Sequence, residues 1–260
     1  MITQNDIIAD LHTHTIFSKH AYSTIQENII AAQKMNLKYL AITDHIYNDG
    51  TENEIKNEAT RCKYMEKEVN AHREAGEPYV IGGAEFNIAQ ELNHRSWKKL
   101  KKLKWRPIGL HGFNLKVKQI SLNVLYEEFE KASKAHNAFA HIERELHKID
   151  GKRYGKNLHD DIKEFLQSVV ELAKDKEIFL ELNESSMRNN EDNNLDRIKY
   201  WLPLAKAKGC KIYLASDAHY CTRIGKFPLA IELLNDLDYP RELILNCNET
   251  QLEEIVNTQN

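Results

Sequence analysis

The 260-residue chain has little cysteine, no long apolar run and no excess of one charge. Its four cysteines, Cys62, Cys210, Cys221 and Cys247, lie far apart and form no CxxC pair. That argues against a disulfide framework and for buried free thiols in a reducing cytosol. No apolar stretch approaches the roughly 18 residues that span a bilayer. The polar start, Met1 to Asp6, runs straight into an apolar strand and leaves no visible signal peptide. The expectation is a soluble, cytoplasmic protein without membrane contact. With 36 Lys and Arg against 39 Asp and Glu, the net charge is −3. No global basic field therefore argues for nucleic acid. The one basic cluster, Lys98, Lys99, Lys101, Lys102, Lys104 and Arg106, reads as a solvated helix face.

What the chain does have is 42% apolar residues, enough to bury a proper core, in a regular alternation. Strand-like runs lie near 6–12, 37–43, 79–86, 107–113, 138–143, 178–183 and 211–216. Helical stretches fall near 23–35, 52–74, 122–136, 157–175, 195–208 and 225–235, and the segment 90–104 is irregular. A β-α-β order repeated about seven times implies parallel strands with right-handed crossovers. The expected fold is a single α/β domain over residues 1–260, a distorted seven-stranded (β/α)7 TIM-like barrel.

Polar residues collect where these runs end. Seven of the twelve histidines sit there with one glutamate and one aspartate: His12, His14, His20, His45, Glu85, His111, His141, Asp217 and His219. In a parallel barrel the strand ends form one mouth. Nine nitrogen and oxygen donors are too many for one zinc, which takes about four. They suit three ions, and a multinuclear metallohydrolase follows. Strand alternation puts Asp10, His12 and His14 on one face, and Asp217 with His219. His72, His94, His136, His147 and His159 have no such partners and read as surface residues.

Asp-Leu-His-Thr-His (10–14), Thr-Asp-His (43–45), Glu85, His111, His141 and Ser-Asp-Ala-His (216–219) resemble, in order, the motifs of PHP-family (polymerase and histidinol phosphatase) phosphoesterases. The free-standing YcdX-type phosphatases are echoed further by Ser18–Thr24, by Leu182–Ser186 and by Ile224–Phe227. The resemblance implies a site with three divalent ions, zinc foremost, with manganese or iron as alternatives. His12, His14 and Asp217 would hold the first, with Glu85 bridging to the second. His111 and His141 would complete the second, and His20, His45 and His219 would hold the third. Glu85, Asp217 and His219 are the residues on which catalysis would depend. Asp10 would orient a histidine from behind. Asp44, turned away from His45 by strand alternation, would be structural or support a ligand from behind rather than ligate.

Such a site, about +4 after two carboxylates, favours a phosphate and a water made nucleophilic by metal. The chain departs from the YcdX pattern at His141-Ile142-Glu143-Arg144, where those proteins read His-Pro-Gly. Arg144, Arg188 and Arg223 lie just beyond strands and suit a grip on substrate phosphate, with surface ion pairs as the alternative. Asn183, Ser185 and Ser186 either line the pocket or cap the next helix. The function implied is hydrolysis of a small phosphorylated metabolite, histidinol phosphate being one family substrate. The alternatives are a PHP-type nuclease or nucleotide phosphodiesterase, and a metal-bound binding or regulatory domain without turnover. Homo-oligomerisation stays open.

Overall fold

A computed structural model of the chain describes residues 1–46, 67–73, 76, 78–88, 102–111, 121–146, 158–190 and 193–258. Strands β1 (Ala9–Thr13), β2 (Tyr39–Ile42) and β3 (Tyr79–Gly82) form one sheet in that order. Strands β4 (Phe86–Asn87), β5 (Pro107–Gly109), β6 (Ala138–Phe139), β7 (Phe179–Asn183) and β8 (Ile212–Ala215) form a second. All their pairings are parallel. Tyr39–Ile42 and Ile212–Ala215 are buried throughout, which is why they read as unbroken apolar runs.

The α/β alternation stands, but two sheets of three and five strands replace the single seven-stranded one expected. The third run breaks at residues 83–85 and gives β3 to one sheet and β4 to the other. At the break Gly83 bridges Trp105, and the Ala84 N–H donates to the Trp105 carbonyl at 3.2 Å. A Cβ on Gly83 would lie 2.7 Å from that carbonyl oxygen, so a glycine is needed for the approach. On the other side Thr13 bridges Ala218, and the Asp217 N–H donates to the His12 carbonyl at 2.9 Å.

The helices are α1 (Ile25–Lys34), α2 (Leu122–Ala132), α3 (Asp160–Asp175), α4 (Glu184–Arg188), α5 (Asn194–Lys208), α6 (Pro228–Asp236) and α7 (Glu249–Asn257). A capping box between Thr24 and Glu27 starts α1. Of the expected helix 52–74, residues 67–73 are helical and the rest lie outside the described residues; of 90–104, only 102–104 are described. Two helices, α4 and α7, were not expected: α4 is one turn long, and α7 lies beyond the last strand. Ala9, Leu11, Tyr39, Trp105 and Tyr213, drawn from both sheets, share one buried cluster closed by Leu252 of α7. This plug fills the space beneath the carboxyl ends of the strands and leaves those ends to polar side chains.

His136 is not a surface residue. It is buried against Phe86, and its Nδ1 lies 3.1 Å from the Arg106 carbonyl. Arg106 is also half-buried, its Nε donating to the Ala135 carbonyl, because it closes the turn before β6. Lys98, Lys99, Lys101, Cys62, His94 and His147 lie outside the described residues. His159 is exposed and His72 half-buried. Cys210 is a buried free thiol, whereas free Cys221 and Cys247 are half-buried. Among the described residues no helix is long and apolar enough to cross a membrane.

Candidate metal centre

The carboxyl ends of both sheets bring the nine candidate donors together. Glu85 is the hub. Its Oε2 lies 2.8 Å from His45 Nδ1, 3.2 Å from His12 Nε2 and 3.5 Å from His14 Nε2. Its Oε1 lies 2.6 Å from His141 Nε2 and 2.9 Å from His111 Nε2. Asp217 Oδ1 lies 3.1 Å from His14 Nε2 and 3.6 Å from His219 Nδ1. The His20 ring stacks 4.9 Å from His45 and 4.7 Å from His219, completing the set.

Some donors pair with one another, as His141 Nε2 does with Glu85 Oε1. Glu85 Oε2 and His111 Nε2, however, are buried and make no hydrogen bond. Buried polar groups are almost always paired, so orphans within one donor cluster fit a site that holds cations. The donor set fits divalent ions that accept imidazole and carboxylate. Among the described residues, three groups have donor atoms within 4.8 Å of one another: His12, His14 and Asp217; His45, Glu85 and His111; His14, His45 and His219.

Local backbone aims these ligands. His141 and Asp217 hold φ of 27° and 50°, a region that side chains rarely adopt and that clusters at functional sites. A Cβ on Gly109 would lie 2.6 Å from His141 Cε1, so the glycine leaves room for the ring. Behind the donors stand supporting residues, of which the motifs did not disclose Glu181. Buried Glu181 on β7 takes His12 Nδ1 on one oxygen and the His141 N–H on the other, both at 2.6 Å. Ser18 Oγ meets His14 Nδ1 at 3.0 Å and donates to Asp44, which also holds Thr15. Asp44 thus has the structural role expected.

Asp10 acts on backbone: it accepts the Gly225 and Ser216 N–H groups at 2.9 and 3.2 Å and the His12 N–H at 3.5 Å. The β1–β2 register shifts between Asp10 and Thr13.

Charge follows the geometry. Burial pushes Glu85 up, but the imidazoles of His111, His12 and His45 hold it well below the ordinary carboxylate range. Burial also raises Asp217, and Arg144 with His14 overcomes it. His12 is lowered by burial yet raised well above its usual value by Glu85 and Glu181. Burial and His45 push His14 well down, and burial with His45 and His219 takes His20 to about 4.

A cavity of about 630 Å³ opens beside this cluster, lined by Arg144, Arg188, Arg223, Ser185, Ser186, Asp217 and His219 among others. Arg144 Nη1 reaches Asp217 Oδ2 at 2.8 Å, and its Nε donates to Ser186 Oγ at 2.7 Å. Arg188 pairs with Glu184 at 3.2 Å, and Arg223 is exposed at the rim. Asn183 both caps α4, accepting the Ser186 N–H, and donates to Asp217, so the two readings of this residue hold together.

The family model for the PHP domain matches residues 10–185. The chain belongs to the PHP-domain family. PHP relatives match over nearly the whole length. A probable phosphatase of Clostridium acetobutylicum is 25% identical over 95% of this chain and 93% of its own, and another of Caldanaerobacter subterraneus is 28% identical over 95% and 90%. Among solved structures, histidinol phosphate phosphatase of Lactococcus lactis, complexed with zinc, L-histidinol and phosphate, superposes with a TM-score of 0.57 at 16% identity, covering 88% of this chain and 91% of that one. A chain of archaeal ribonuclease P with mature tRNA gives 0.56 at 17% identity over 95% and 90%. Such distant likenesses establish the fold alone. These relatives, aligned nearly end to end, are both named probable phosphatases.

Proposed function

We propose that the protein is a metal-dependent phosphomonoesterase of one catalytic domain, its two sheets closing as a distorted barrel around a three-metal site. The supporting observation is Glu85, whose two buried oxygens face five histidines from both sheets. The bridges Gly83–Trp105 and Thr13–Ala218, which join the sheets on both sides, support closure.

His12, His14 and Asp217 would hold one ion and Glu85, His111 and His141 a second. His45 and His219 with His20 would hold a third, His14 and His45 lying close enough to be shared. Divalent ions there would polarise the phosphoryl oxygens and lower the pKa of a water toward about 7. Zinc leads because it accompanies the Lactococcus neighbour; manganese and iron accept the same ligands. Glu181 and Ser18 fix the ring orientations of His12 and His14, and Arg144, anchored on Asp217 and Ser186, presents its guanidinium to the cavity. There it would grip a substrate phosphate, with Arg223 and Arg188 further out. Histidinol phosphate is one candidate substrate.

A panel of phosphomonoesters offered to protein reconstituted with zinc, manganese or iron tests this reading, with metal counted per chain. The expected result is close to three ions and turnover that Glu85→Gln and Asp217→Ala abolish in folded protein. One tightly held ion would remove the three-metal assignment, and no turnover on any ester would remove the function.

A further inference from the structure

A second cavity, of about 370 Å³, lies between α1 and the turn 221–226 that follows His219. That volume is within the range of small-molecule sites. Ile30, Ala31, Met35 and Ile224 give it apolar walls. Ile30 is 41% exposed: α1 turns this side chain away from the core, which takes Ile25 and Ile29 instead. The walls are anchored. The Cys221 N–H donates to Ser23 Oγ at 2.8 Å and the Gly225 N–H to Asp10 Oδ2 at 2.9 Å, while Gln4 Nε2 donates to the Gly225 carbonyl at 2.8 Å. A Cβ on Gly225 would lie 3.1 Å from Met35 Cβ and from Leu37 Cδ1, so the turn packs closely on the end of α1. The space beside it is therefore a built cavity rather than a gap under a loose loop.

Charge selects what can occupy it. Lys34 on α1 and Lys226 on the turn stand one on each wall. Among the described residues neither has an ion-pair partner. The one lining carboxylate among them, Glu27, is already engaged in the capping box, accepting from the Thr24 N–H at 2.7 Å and Thr24 Oγ at 2.9 Å. It lies about 10 Å along the helix from Lys34. Two ammonium groups beside apolar walls match a ligand with an anionic head and an apolar tail. An ammonium head would meet two like charges, and a fully polar ligand would leave the walls uncovered.

We propose that this cavity is a binding site, separate from the metal centre, for a small carboxylic acid with an apolar tail. The carboxylate lies between Lys34 and Lys226, and the tail runs along Ile30, Ala31 and Ile224. One turn forms the wall between this site and the catalytic cavity: Tyr220 and Arg223 line the cavity beside the metal donors, and Cys221 and Ile224 line this one.

The test uses octanoate as the probe on the full metal-loaded chain, with inorganic phosphate at saturation so that the metals do not take the carboxylate. Calorimetry at low ionic strength should show one octanoate bound per chain. Octylammonium should bind roughly tenfold more weakly, as expected when two exposed ion pairs are exchanged for two repulsions. Acetate should bind at least about a hundredfold more weakly, because it lacks the methylenes that the walls would bury. Lys34→Glu combined with Lys226→Glu should reverse the preference for octanoate over octylammonium, and Ile30→Asp should weaken both. All three side chains are exposed, so these variants should fold. Bound octanoate should also slow alkylation of Cys221 by iodoacetamide, read by peptide mass spectrometry, and leave Cys247 unchanged. Absence of saturable octanoate binding, equal binding of octylammonium, binding that survives the double variant, or unchanged alkylation of Cys221 would each overturn the site. None of these outcomes bears on the phosphomonoesterase reading, which the ester panel tests separately.

Discussion

Glu181 holds His12 from behind: one carboxylate oxygen lies 2.6 Å from His12 Nδ1, and the other takes the His141 N–H at 2.6 Å. One buried side chain on β7 thereby fixes a ligand on β1 and the backbone of a ligand after β6. Nδ1 is committed to the carboxylate, so Nε2 faces Glu85 and the ion site. Carboxylates in this position typically account for 10- to 100-fold in metal affinity. Glu181→Gln should weaken metal binding by about that factor in a folded protein, read by chelator competition. Glu181→Asp should fall between the two if orientation is what matters. Parent affinity in Glu181→Gln would mean that the contact does not position His12.

Arg144 and Asp217 make a second such pair, at 2.8 Å. On the proposed function the arginine would bind the phosphate while anchoring the candidate ligand Asp217. A charge-assisted contact contributes about 1.5–3 kcal/mol. Arg144→Ala should thus lower kcat/KM on the best phosphomonoester by roughly 10- to 150-fold. Arg144→Lys should not restore it, because a point charge cannot keep Asp217, Ser186 and a phosphate together. Metal content should fall modestly rather than stay constant, since Asp217 loses its partner. Kinetics within twofold of the parent would place Arg144 outside the binding site.

The gathering of the candidate donors was legible because a parallel α/β fold puts strand ends together, so that His or carboxylate after each apolar run carries spatial information. The supports were not. Glu181 lies inside Phe179–Asn183, where an alternating apolar and polar pattern reads as an ordinary strand. Gly83 marks a sheet break only once Trp105 is known to approach it. That Asp10 meets His12 at its backbone N–H, with the register shifting just beyond it, leaves no mark in the sequence. Asn183 and Ser186 were legible as alternatives, and the structure shows that capping and the site share the same atoms.

Gly109 offers a test of how tightly the ligand frame is packed. A Cβ there would lie 2.6 Å from His141 Cε1 and 2.9 Å from the Ala140 carbonyl oxygen. The carbonyl is backbone and the ring is held by Glu85, so neither can yield cheaply. Gly109→Ala should displace His141, lower metal occupancy and reduce kcat more than tenfold. A small loss of stability is also expected, of the order of 1–3 kcal/mol for overpacking. Normal metal content and kcat would show that the ring position tolerates a shift.

The metal-free protein should lose stability on mild acidification. Burial takes His136, outside the ligand cluster, down to about 4, and burial with His45 and His219 takes His20 to about 4, from an ordinary 6.5. Between those values the unfolded chain binds protons that the folded chain refuses, so stability falls as the pH drops from 6.5 toward 4. His14 is shifted in the same sense. Glu85 and Asp217, both depressed, add losses as the pH falls through their ordinary values of 4.5 and 3.8. His12 opposes them: its value is raised, so its contribution is full below 6.5 and is lost as the pH rises through the folded value. Three depressed histidines against one raised set the net direction. Thermal unfolding of chelator-treated protein should show Tm falling from pH 7 to pH 5, with a shallower fall in His136→Gln. Metal-loaded protein should fall more steeply, because protons also compete for its ligands. A flat Tm over that range in the metal-free protein would mean that these histidines are not buried in their neutral form.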